Sequence, residues 1–128
     1  MAEHTKKQKD GGYGEDLAAA HLALHGYVCV ARSFRSRFGE IDIIAQKGQT
    51  LIFAEVKTRT AGGLGIPGEA VNRAKRTKIA ATAAQYLAEN PGAFYPRFDV
   101  IEVLTAKEAE PEMNHIPNAF DSEGFFGF

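Results

Sequence analysis

The sequence has a single cysteine, Cys29, no long apolar run and almost no net charge. A lone cysteine excludes an internal disulfide, and without a CxxC pair or a Cys/His cluster there is no zinc site, so a reducing compartment is expected. No stretch approaches the roughly 18 apolar residues of a membrane-spanning helix. The amino-terminal MAEHTKKQKDGG lacks the apolar segment of a signal peptide, which makes a cytoplasmic location, with no membrane partner, the expectation. The 15 Lys and Arg stand against 16 Asp and Glu, and a net charge of −1 taken whole argues against the basic footprint of a nucleic-acid binder. That sum conceals a split. Residues 1–100 hold 14 basic and 10 acidic side chains, whereas residues 101–128 hold 1 and 6, so a basic domain and an acidic tail cancel.

What is present describes one α/β domain. A chain of 128 residues, 45% hydrophobic and 24% charged, has the proportions of a globular protein and is too short for two cores. Residues 1–12, with Lys6, Lys7 and Lys9, read as a flexible basic arm, 13–120 as the single domain, and 121–128 as an acidic aromatic tail outside the packed body, with Phe120 packed on the domain. In EDLAAAHLALH, Leu17, Ala20, His21 and Leu24 recur at helical spacing before Gly26, which predicts a helix from Glu15 to His25. YVCVARSF reads as a strand, and GEIDIIAQK and TLIFAEVKTR as two more, joined through Gly48 and Gln49 in a type II′ hairpin. TAGGLGIPG is a loop, followed by a helix over 69–89 that ends at Asn90 and Pro91, and then by the strand RFDVIEVL. The expected order is αβββαβ, a mixed sheet flanked by helices, with a parallel crossover through the second helix.

The hairpin carries the chemistry. If Gly48 and Gln49 form the turn, Lys47 faces Thr50, Asp42 faces Glu55 and Glu40 faces Lys57, and strict alternation puts these four charged residues on one face. Directly opposed carboxylates repel unless a cation lies between them. Oxygen-only ligands favour Mg²⁺ or Mn²⁺, and Mg²⁺ keeps sites for substrate phosphates. A plain cross-strand salt bridge between Glu40 and Lys57 fits the same spacing, and both readings stand at this point.

GEIDIIA, the 13 positions from Asp42 to Glu55, and the triplet Glu55, Val56, Lys57 resemble the PD-(D/E)xK nuclease signature. From about Gly11 to Phe120 the chain is similar to the YraN-like family of predicted endonucleases, related to archaeal-type Holliday junction resolvases with a restriction-endonuclease-like core. The resemblance runs through GEDLAAAHL, HGY, the hairpin, GIPGEAV with Lys75 in the next helix, RFDV and HIPNAF. It implies that Asp42, Glu55 and the Val56 carbonyl hold Mg²⁺ or Mn²⁺, that Lys57 orients or deprotonates the attacking water, and that Glu15 completes the catalytic set, with Glu40 as an additional site residue. The implied activity is Mg²⁺-dependent hydrolysis of DNA by a structure-selective endonuclease of repair or recombination. The alternative is a catalytically weak or inactive binding module of the same fold, acting with a repair or recombination partner. Resolvase-like relatives act as dimers, so the resemblance admits a homodimer, although no dimer face is marked in the sequence.

Around this site Arg32, Arg35, Arg37, Arg59, Arg73, Lys75, Arg76 and Lys78 offer contacts to the phosphates of a nucleic acid without reading its bases. Nothing distinguishes DNA from RNA through a 2′-hydroxyl. His21 and His25 stand one helical turn apart but lack the glutamate of HExxH, and Cys29 has no assignable base, so neither is read as catalytic.

Overall fold

The structure, a computed structural model, describes residues 6–60 and 71–122, with side chains from Gly12 onward. The elements follow in the order α1 (Lys6–Leu24), β1 (Val28–Arg35), β2 (Glu40–Lys47), β3 (Thr50–Thr60), α2 (Arg73–Glu89), β4 (Tyr95–Thr105) and β5 (Glu112–Phe120). All five strands form one sheet in the order β1-β2-β3-β4-β5, and β3 and β4 are its parallel pair. Parallel neighbours need a long connection, and α2 lies within it. The fold is the expected α/β type, a mixed sheet flanked by helices, lengthened by one strand.

The elements differ from expectation at several points. The backbone of 6–12, read from sequence as part of an arm, is helical, in keeping with the good helix propensity of Lys and Gln; residues 1–5 and 123–128 lie outside the described residues. The second helix begins at Arg73 rather than 69, because the Asn72 side chain accepts a hydrogen bond from Lys75 N at 2.9 Å and caps it. The loop TAGGLGIPG beyond Thr60 lies outside the described residues. The strand β5 was not anticipated: EMNHIPNAF contains Pro117 and two asparagines, poor strand formers that are tolerated because this is an edge strand, paired with β4 alone.

The sheet is buried on both faces in its middle, which explains the unbroken apolar run at the start of β3. One face packs Ile41, Ile44, Leu51, Phe53, Phe98, Val100 and Phe120 against Ile79, Ala80 and Ala83 of α2. As expected, Phe120 packs on the domain, stacking on Phe98 with ring centroids 5.1 Å apart. The other face packs Ile43, Ala45, Ile52, Ala54, Ile101 and Val103 against Ala18 and Leu22 of α1. Gly14 lets α1 settle onto β3, since a β-carbon there would collide with Thr58 Oγ1. Gly48 takes φ +60 while Gln49 stays outside the positive-φ region, as a type II′ turn requires. The turn therefore sets the expected register from Lys47↔Thr50 to Ile43↔Ala54.

Candidate active site

The ladder between β2 and β3 ends at Ile43↔Ala54, one residue short of the carboxylates. On the other side of β2, Arg32 pairs with Ile43 and Phe34 with Ile41, leaving Ser33, at φ +50, opposite Asp42. Ile41 and Ile44, three positions apart, both face α2, so the alternation of β2 is broken between them. Strict alternation, assumed for all four charged residues, therefore fails at Asp42. Its carboxylate instead substitutes for the missing strand partner: Asp42 Oδ2 accepts a hydrogen bond from Val56 N at 2.8 Å. Because a strand residue directs its N–H and C=O to the same side, the Val56 carbonyl is aimed toward this same gap.

Beyond the gap lies a cleft of about 510 Å³, lined by Gly39, Glu40, Asp42, Glu55, Asn72, Ala74, Lys75, Lys78 and Ile79. Glu55 is 7% exposed, and Lys75 Nζ from α2 donates a hydrogen bond to its Oε1. Asp42 is mostly buried beside it. Burial, then the charge of Glu55, push the Asp42 carboxyl up from 3.8 to about 7, against the opposing pull of the Val56 N–H; Glu15 pushes the same way and Lys75 the other. Glu15 is raised as well, chiefly by burial, with Arg32 opposing and Glu40 adding. Three carboxylates, Glu40, Asp42 and Glu55, thus line the cleft, and Glu15 on α1 is coupled to Glu40 and Asp42 by charge.

The remaining expected site residues fall into separate groups. Glu40 pairs across the strand with Arg35, Nε to Oε2 at 2.9 Å, and not with Lys57, so the plain Glu40–Lys57 salt bridge is not formed. Lys57 follows Glu55 by two positions on β3 and shares its face; among the described residues its ammonium has no ion pair. Several of the basic residues expected to meet phosphates pair with carboxylates. Arg32 holds Asp16 at 2.8 Å and Glu15 at 3.7 Å, Arg59 holds the fully buried Glu102 at 3.0 Å, and Lys75 holds Glu55. Arg37 stacks over Phe38, while Arg73 and Lys78 are exposed on α2 and Arg76 is partly buried there. Sequence reasoning missed Asn72, which lines the cleft and caps α2; the preference of asparagine for N-cap positions was the available signal.

The donor set suits a hard divalent cation. Asp42 offers carboxylate oxygens whose charged form is disfavoured, and among the described residues no ion pair neutralises it. No three Asp, Glu, His or Cys side chains among the described residues gather into a full cage, but Mg²⁺ is usually bound through one or two carboxylates and retains water.

The raised Asp42 carboxyl has a measurable consequence. The folded state binds its proton more tightly than the unfolded chain does, so the metal-free protein loses stability as pH climbs from about 4 through 7. Asp42→Asn, which can still accept from Val56 N, is expected to exceed the parent by a few kcal/mol at pH 8, each whole pKa step being worth about 1.4 kcal/mol. The gap should close toward pH 4. Urea unfolding in chelator at both pH values checks this, and a gap equal at both would refute it.

A second polar network lies on the α1 side, with the fully buried Asp99 at its centre. Arg97 donates to Asp99 Oδ1 at 2.9 Å and Oδ2 at 2.8 Å, His115 Nε2 lies 2.7 Å from Oδ2, and Asn118 N donates to Oδ1 at 3.0 Å. Burial alone would raise this carboxyl, but the hydrogen bonds from His115, Arg97 and Asn118 outweigh it and hold Asp99 below the usual range. Arg97 also reaches Tyr27 Oη at 2.8 Å, tying β1's approach to β4.

Residues 14–103 match the uncharacterised protein family UPF0102, and the chain belongs to it, as the resemblance to YraN-like proteins led us to expect. A UPF0102 protein of Nocardia farcinica is 44% identical over 121 residues, 94% of this chain and 95% of the relative. One from Geobacter metallireducens is 43% identical over 122 residues, covering 94% and 98%. Among solved structures, the Holliday junction resolvase Hjc of Archaeoglobus fulgidus aligns with a TM-score of 0.44 at 20% identity, over 80% of this chain and 72% of that one. Among the described residues no helix is long and apolar enough to cross a membrane.

Proposed function

We propose that the protein is a divalent-metal-dependent nuclease that cleaves the phosphodiester backbone of DNA, selecting branched, flapped or single-stranded structure over sequence. The observation that carries this reading is the convergence of Asp42 and Glu55 on one cleft, with Asp42 left electrostatically unsatisfied where β2 and β3 part. Asp42, Glu55 and the Val56 carbonyl would hold Mg²⁺ or Mn²⁺. The bound ion would polarise a phosphoryl oxygen and lower the pKa of a water. Lys57, on the same face as Glu55 and without a carboxylate partner among the described residues, would orient that water, or as the neutral amine take its proton. Glu15 adds a fourth carboxylate from α1 and, through Arg32, anchors the helix to the sheet. Of the basic residues expected to meet phosphates, Arg37, Arg73 and Lys78 are exposed and have no carboxylate partner among the described residues, and such contacts position a nucleic acid without reading it.

The experiment is cleavage of labelled branched, flapped, single-stranded and duplex DNA, with an RNA control, in Mg²⁺, Mn²⁺ and chelator. Cutting that needs the metal and favours non-duplex forms is expected; no cutting of any substrate with either ion would overturn the reading. The pairing of Lys75 with Glu55 favours a second reading, a DNA-binding module of the same fold whose site stays filled by the lysine. That module would bind branched DNA normally while taking up no Mn²⁺ below millimolar concentration.

A further inference from the structure

Lys75 occupies an unfavourable position unless it has a task. It stands in the first turn of α2, where the helix dipole disfavours cations, and that turn has no acidic residue to offset it. Arg73, Arg76 and Lys78 crowd the same stretch. Its side chain is 45% exposed, whereas that of Glu55 is 8% exposed. The lysine therefore has solvent to withdraw into, and the glutamate has none. Its main-chain N–H is fixed by Asn72, so withdrawal needs only side-chain rotation.

Resting on the metal-dependent reading above, we propose that Lys75 is a displaceable counter-ion, which neutralises Glu55 while the site lacks metal and surrenders it to the incoming divalent cation. The freed ammonium then stands beside Lys78, three positions further along α2 and also on the cleft wall, where a phosphate would meet it. The physical argument is one of charge. Two neighbouring buried carboxylates need compensation, and one ammonium on Glu55 leaves Asp42 unsatisfied. A divalent ion serves both acids at once. The exchange is favourable, but breaking the Lys75–Glu55 pair subtracts from the metal's affinity. Lys75 thus sets a threshold for metal binding and couples metal uptake to the appearance of a phosphate contact. In this role it is a positioning residue, acting through Glu55.

The two consequences have opposite signs, which separates this role from a merely structural one. Removing the ammonium abolishes the competition, so Lys75→Met and Lys75→Gln should both bind Mn²⁺ more tightly than the parent, by roughly tenfold. The same variants should bind branched DNA several-fold more weakly in Ca²⁺. Calorimetric titration of the full chain with Mn²⁺ alone reads the first effect, and fluorescence anisotropy the second. Thermal unfolding in chelator should show the variants less stable than the parent, with the deficit erased by saturating Mn²⁺. Mn²⁺ affinity unchanged or weakened in both variants would overturn the proposal while leaving the nuclease reading intact. Failure of Mn²⁺ to bind the parent and the variants alike would overturn both.

Discussion

Glu55→Ala is expected to lower the rate of DNA cleavage by at least about a thousandfold, the scale on which losing a preorganised electrostatic contact to the reacting group is felt. Glu55→Gln should fare no better, because the amide keeps the shape and loses the charge that a hard cation needs. Lys57→Ala should cost about a hundredfold to ten-thousandfold, the range for removing a positioned proton-transfer group. None of these changes should unfold the protein. Lys57 has no ion pair to lose among the described residues, and deleting Glu55 relieves its repulsion of Asp42. Circular dichroism and urea midpoints provide the control, and single-turnover cleavage of a branched substrate the measurement. Alanine variants that retain full activity would refute the assignment of the site.

The largest stability effect should come from the opposite side of the sheet. Asp99 is fully buried and satisfies Arg97, His115 and the Asn118 N–H together. Asp99→Ala strands a guanidinium and an amide in a partly dry site, and truncating one partner of a buried pair costs about 3 to 5 kcal/mol. For a domain of this size that corresponds to a fall in Tm on the order of 10 to 20 °C. Asp99→Asn, which can still accept from Asn118 N, should lose less. Because the folded carboxyl is held below its unfolded value, its contribution is present at neutral pH and disappears only as pH falls below about 4. The parent and the alanine variant should therefore converge in acid. A Tm change of under about 3 °C at pH 7 would show that the network is not structural.

How much of this could be read in the chain depends on whether a residue's neighbours are local. The Gly48–Gln49 turn fixes five successive pairs from Lys47↔Thr50 to Ile43↔Ala54, because a two-residue loop leaves the register no freedom. That sufficed to place Asp42 near Glu55. It did not reveal that the ladder stops just before them, since nothing in the alternation of the hairpin itself marks where the pairing ends. β5 was hidden because Asn114, Pro117 and Asn118 carry turn signals that only an edge position accommodates. The pairing of Arg32, Arg35 and Arg59 with Asp16, Glu40 and Glu102 was not legible, because these partners become neighbours only through helix docking and strand pairing. Lys75 belongs to this group too: a helical pattern places its backbone, but the reach of a four-carbon side chain across a cleft depends on the fold around it. Asp99 was visible within RFDV as a strand residue, with no local hint that His115 would arrive sixteen positions later to meet it.

The Val56 N–H that hydrogen-bonds the Asp42 carboxylate has a use beyond architecture. Most buried sheet amides report on their strand partner, but this one reports on an ionisable group. Its proton and nitrogen resonances should follow the charge on Asp42 directly, and its hydrogen-exchange rate should change when that carboxylate is protonated or engaged by a cation. A single backbone amide, observable without labelling the site chemically, thus gives a residue-resolved view of the state of the cleft.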